Sequence, residues 1–148
     1  MRHDPARFAD TKAWLAKAGS DLRAGAHDLT SVPAFTGDAV FHAQQAAEKA
    51  FKGFLAWHDV PFGKTHDLAR LGTQCAEIEP VLAPLGQRAS KLTDYAWKYR
   101  YPGEPEEPPR EEAESALVLA REVYEIILAR LPEEVRPAER ASNNRADA

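Results

Sequence analysis

Apolar positions recur along this chain at helical rather than strand spacing. Phe8, Leu15, Ala18, Leu22 and Leu29 lie three, four or seven residues apart, the repeat of one helix face. They predict a first helix over 5–29, with Asp4 as a cap and Pro5 in the first turn. Ser31, Val32 and Pro33 end it. Gly37 and Asp38 open a second helix running to about 58, and 61–64 form a loop. A third helix begins near Thr65 or Asp67 and reaches 79–80. A fourth is predicted over 81–100, with Pro84 tolerated in its first turn. Tyr95, Trp97, Tyr99 and Tyr101 alternate like a strand. Leu92, Tyr95, Ala96 and Tyr99 nevertheless continue the helical spacing, and no second strand is present to pair with them, so helix is predicted here too.

Pro102 and Gly103 stop that helix, and the Pro/Glu-rich stretch 104–109 is irregular. The last helix, 110–131, places Ala116, Leu117, Ala120, Val123, Tyr124, Ile127 and Leu131 on one face, with Glu114, Arg121, Glu122 and Glu125 opposite. The expected organisation is a short disordered start, 1–4, one all-α up-and-down bundle of four to five helices over 5–131, and a disordered polar tail, 132–148.

Composition narrows the function. With 148 residues the chain fits one domain and can bury a core without disulfide or metal. The net charge of −4 argues against a general polyanion binder. Its single cysteine, Cys75, makes no internal disulfide and no multi-cysteine zinc site, and its apolar surroundings mark a small core residue. No apolar run suits a signal peptide or a membrane span, so a cytoplasmic location is expected. Gly-rich phosphate loops and nucleophile elbows are absent. Neither a metal nor a cofactor is expected, and no acid/base pair stands out as catalytic. Trp14, Trp57 and Trp97 are read as core residues rather than base-stacking platforms.

The second helix is the most informative segment. Ala43, Ala46, Ala47, Ala50, Phe54 and Trp57 form an apolar face that Val40, Phe41, Phe51 and Leu55 widen to half the helix or more. That is more than a surface helix needs, and it suggests contact with the bundle and with a second surface as well. Gln44 and Glu48, one turn apart inside this arc, either pair with symmetry mates across a two-fold axis or sit at its edge in water. Phe41, Gln44, Glu48, Phe51 and Leu55 are therefore the candidate dimer interface. His42, Gln45, Lys49 and Lys52 form a polar stripe, a solvated face or a contact for phosphate. After the loop, Thr65 suits a helix cap and Asp67 suits the first turn, leaving Lys64 and His66 available for an anion at a helix N-terminus.

Three blocks carry a resemblance: 41–50 (Phe-His-Ala-Gln-Gln-Ala-Ala-Glu-Lys-Ala), 64–68 (Lys-Thr-His-Asp-Leu) and 100–103 (Arg-Tyr-Pro-Gly). In this order and at these separations the chain resembles the HEPN domain over about 5–131. The resemblance implies a helical bundle with an extra C-terminal helix, usually dimeric. It also implies, for prokaryotic members, frequent association with a minimal nucleotidyltransferase. Many members are ribonuclease toxins and others are assigned nucleotide binding.

The ribonuclease members carry an Arg followed, after four to six residues, by a His near the start of a late helix. Here His66 is the last histidine, so neither Arg88 nor Arg100 has such a partner. Arg23 and His27 are too close and lie in the first helix. The expected function is a non-catalytic nucleotide-binding or partner subunit of a nucleotidyltransferase, toxin–antitoxin-like system. The alternative is an RNA-cleaving toxin using other residues. Arg100 and Tyr101 with Lys64 and His66 are the expected nucleotide or RNA site, because guanidinium binds phosphate bidentately. The competing reading has Arg100 capping its own helix and pairing with Glu104 or Glu106.

Overall fold

The computed structural model describes residues 4–103 and 106–138. Five α-helices follow one another, α1 (Pro5–Asp28), α2 (Thr36–Trp57), α3 (Leu68–Ile78), α4 (Ala83–Ala89) and α5 (Arg110–Ala129), and no strand occurs among the described residues. The all-helical bundle read from the apolar spacing is the observed fold.

α2 is its axis. It packs on α1, α3, α5 and the turns after α4, so nearly its whole circumference is covered. Val40, Phe51, Phe54 and Leu55 are fully buried. The wide apolar arc thus has an intramolecular cause. Phe51 and Leu55, expected at a dimer interface, face their own chain, and only Phe41 of the arc remains partly exposed.

α1 and α2 run antiparallel and are joined by a charged ladder. His42 Nδ1 meets Asp28 at 2.8 Å and Lys49 Nζ meets Asp21 at 2.7 Å. Glycine lets the two backbones approach: a Cβ on Gly53 would come within 2.9 Å of Leu15. α2 ends with Asp59 at φ 60°. Val60 N–H bonds Leu55 O at 2.9 Å and Asp59 N–H bonds Ala56 O at 3.1 Å, the paired bonds of a left-handed helix stop.

The predicted fourth helix is shorter than its spacing suggested. α4 ends at Ala89 and the chain tightens into 3-10 turns over Ser90–Ala96. This winding buries Leu92 in the core. It also places Thr93 Oγ1 3.1 Å from Leu68 N–H, at the start of α3. Residues 97–103 are turns and bends, so the Tyr95–Tyr101 stretch is neither strand nor continuous α-helix.

The ordered chain also runs past 131. Glu133–Val135 is a 3-10 turn whose Val135 is fully buried against α1, because one apolar side chain in a polar segment suffices to dock it. Arg136 closes the turn through two bonds to Leu131 O. Of the segments expected to be disordered, 1–3 and 139–148 lie outside the described residues. The cysteine reading is met: Cys75 is buried, and that burial pushes its thiol well above the ordinary range.

Candidate functional site

One stripe of α2 carries the polar chemistry. Positions 41, 45, 48 and 52 fall three or four residues apart and share a helix face. At its centre Glu48 is almost sealed from solvent. Its Oε1 accepts from Gln44 Nε2 at 3.0 Å and lies 2.8 Å from His66 Nδ1, while its Oε2 accepts from Lys52 Nζ at 2.7 Å. Burial alone pushes the Glu48 carboxyl up. Hydrogen bonds from Lys52, His66 and Gln44, with the charge of Lys52, outweigh that and hold it below the usual carboxylate range. Glu48 is neither at an edge in water nor aimed at a symmetry mate; both its oxygens are used within the chain.

Lys52 is equally enclosed. Its ammonium lies 5.6 Å from the ring centroids of both Trp14 and Phe62, within cation–π range. Gln44 bonds in two directions, to Glu48 and, at 3.3 Å, to the His66 carbonyl. Gln45 donates to Gln44 Oε1 at 2.7 Å. His66 is therefore held at backbone and ring, yet its side chain is 67% exposed. An ionised Glu48 only accepts, so Nδ1 carries the proton and Nε2 is left for an incoming group.

Arg100 joins the same stripe about two turns from Glu48, at Phe41. Its guanidinium carbon sits 3.9 Å from the Phe41 ring centroid, stacked on the aromatic face. Among the described residues no carboxylate pairs with it, so the expected pairing with Glu106 is not made; Glu104, the other expected partner, lies outside the described residues. Tyr101 is 74% exposed, and Lys64 is exposed two residues before His66.

The structure thus places His66 and Arg100 along one stripe of α2, the His66 ring on Glu48 and the Arg100 guanidinium on Phe41, about two turns apart. It removes one expected contributor, the free amides at the start of α3. Leu68 N–H goes to Thr93, and Ala69 and Arg70 N–H go to Asp67, which is the actual cap. Of the expected polar stripe, His42 and Lys49 are committed to α1 aspartates and Gln45 to Gln44. Lys52 was undervalued, although its i, i+4 spacing from Glu48 was visible. Trp97 was misplaced: it is 58% exposed, because it follows the last turn of the Ser90–Ala96 segment rather than continuing a helix.

The model of the HEPN domain family matches residues 11–131, and the chain belongs to that family. No curated protein and no solved structure matches it. No helix among the described residues is long and apolar enough to cross a membrane.

Proposed function

We propose that this HEPN protein is a non-catalytic subunit that binds the phosphate of a nucleotide through Arg100 and His66 and acts beside a partner, a minimal nucleotidyltransferase. The observation that carries the reading is the stacked, exposed Arg100 guanidinium. Its hydrogen-bonding edges meet no carboxylate among the described residues, and a second donor ring, His66, is held on Glu48, about two turns along α2 from Phe41. The partner's identity comes from the resemblance; the anion chemistry comes from the side chains. Calorimetry with ATP, AMP and short RNA tests it. Binding in the millimolar range or tighter, lost in Arg100→Ala, is the expected result. An Arg100→Ala protein that binds as well as the parent would refute it.

One observation favours the alternative, RNA cleavage. A sealed carboxylate orienting an exposed imidazole is an arrangement suited to proton transfer. Expressing the chain alone separates the two: harmless expression with intact RNA fits the binding subunit, whereas growth arrest with RNA loss that His66→Gln abolishes fits the nuclease.

Assembly as a homodimer belongs to the same proposal, but the α2 arc does not supply its surface. The groove between α1 and α5, about 580 Å³ and lined by Leu22, Leu117, Val118 and Ile126, is the better candidate. Light scattering of the parent and of Val118→Asp tests it: a parent that stays monomeric at high concentration removes the dimer, and a Val118→Asp protein that remains dimeric removes this groove.

A further inference from the structure

A trough lies between α5 and the stretch from α4 through the Ser90–Ala96 turns, sharing its Val118 rim with the α1–α5 groove. It holds about 650 Å³, within the range of small-molecule sites. Leu92 and Ala116 are buried in its floor, and Leu119 is partly so. Polar bridges close both ends. At one, the Tyr95 hydroxyl donates to Glu112 Oε2. At the other, Arg88 grips Glu122, its Nη1 2.9 Å from Oε2. Glu112 and Glu122 are ten residues apart, so the bridges stand about 15 Å from each other along α5. Tyr95 stacks on Tyr99, centroids 6.1 Å apart, which steadies the first bridge.

The charges along this trough do not cancel. Arg88 neutralises Glu122, and Arg110 neutralises Glu114 at 2.9 Å. Among the described residues no cation pairs with Glu111 or Glu112. Glu112 spends Oε2 on Tyr95 and keeps Oε1 for another donor. Burial, with the Glu112 hydrogen bond and charge, pushes the Tyr95 hydroxyl above its usual range, so it stays protonated and donating at neutral pH. Its ring adds an aromatic wall, which attracts a cation. Lys91, exposed on the opposite wall, has no carboxylate partner among the described residues. From this we infer that the trough binds a small organic monoamine, its ammonium on Glu112 beside the Tyr95 ring and its apolar body over Leu92, Ala116 and Leu119. A carboxylate with a free oxygen at one end of an apolar floor selects a cation carrying an apolar tail. Lys91 repels a second positive charge farther along and so disfavours a diamine. The trough shares no residue with the phosphate reading of Arg100 and does not depend on it.

Amide chemical-shift titration of the full chain tests this at neutral pH, with hexylamine, hexanol, hexanoate and hexamethylenediamine as probes. Hexylamine should bind in the millimolar range or tighter and move the amides of 88–95 and 111–119. It should exceed the other three by about tenfold, the worth of one charge-assisted bond. Glu112→Gln keeps an oxygen for Tyr95 but removes the charge, so hexylamine affinity should fall about tenfold while hexanol is unaffected. Lys91→Ala should bring the diamine up to the monoamine. No response to hexylamine overturns the site. So does an equal response to hexanol, which would leave only an apolar trough, or a response centred outside those two segments. Unchanged hexylamine affinity in Glu112→Gln also overturns it. Should circular dichroism show that variant misfolded, the comparison of the four probes on the parent decides alone. Arg100→Ala should bind hexylamine as the parent does, so a failure of the phosphate site and a failure of this one are told apart.

Discussion

Lys52 and Glu48 meet 2.7 Å apart with about one twentieth of either side chain open to water, so neither charge can be deleted alone without stranding the other. Lys52→Met keeps the stem between Trp14 and Phe62 but leaves Glu48 with uncompensated charge, and should cost about 3 kcal/mol. The double variant Lys52→Met/Glu48→Gln should lose less than the two single losses added; urea denaturation of the three proteins measures this. The pair also sets an acid limb. The Glu48 carboxyl is lower in the folded than in the unfolded chain. It therefore contributes stability that is complete above the ordinary carboxylate range and fades as pH falls through the folded value. Glu48→Gln should flatten that limb, and an unchanged slope below about pH 4.5 would contradict the assignment. The sequence named Gln44, Glu48, His66 and Arg100, since polar residues inside an apolar arc and histidines in short loops are conspicuous. It misjudged their surroundings, because helical spacing tells which residues share a face and not what covers it. Asp21 and Asp28 show the same limit, pairing with residues of another helix that no spacing within one helix reveals.

Among the helices, the ends and crossings carry the most specific demands. Asp59 holds a left-handed φ of 60° to stop α2, a conformation glycine adopts without strain. Its contact with Arg7, at 3.6 Å with the carboxylate 82% exposed, contributes little. Asp59→Gly should therefore raise stability by about 0.5–1 kcal/mol, visible as a higher melting temperature. α3 and α4 cross at two glycines: a Cβ on Gly72 would stand 2.6 Å from the Gly86 Cα, and one on Gly86 2.9 Å from the Gly72 Cα. Backbone cannot yield as a side chain can, so Gly72→Ala should destabilise by about 1–3 kcal/mol despite its better helix propensity; stability equal to the parent would show that the crossing is loose. α1, α2 and α5 were legible because each repeats its apolar face over five or more turns. α4 was not, because seven residues hold barely two turns, and the 3-10 winding after it keeps apolar spacings near three that pass for α-helix. The buried turn at Val135 escaped because a single apolar residue has no period.

For the molecule as a whole, an axis wrapped by its neighbours and a rim of turns hold different amounts of stability. The backbone amides of α2 are shielded by α1, α3, α5 and the Ser90–Ala96 segment together, so no local fluctuation uncovers them. Residues 97–103 lie outside regular structure and can open without disturbing a helix. Amide hydrogen exchange should divide accordingly. The middle of α2 should exchange only as fast as the entire chain unfolds, and the 97–103 amides orders of magnitude faster. A fast-exchanging centre of α2 would mean that the bundle comes apart in pieces. If the division holds, the two ends of the site live on different clocks. Glu48 and Lys52 persist for the lifetime of the native state, while Arg100 and its neighbouring rings rearrange many times within it. The entropy lost when that rim is fixed would then be drawn from a segment whose ordering leaves the rest of the fold untouched.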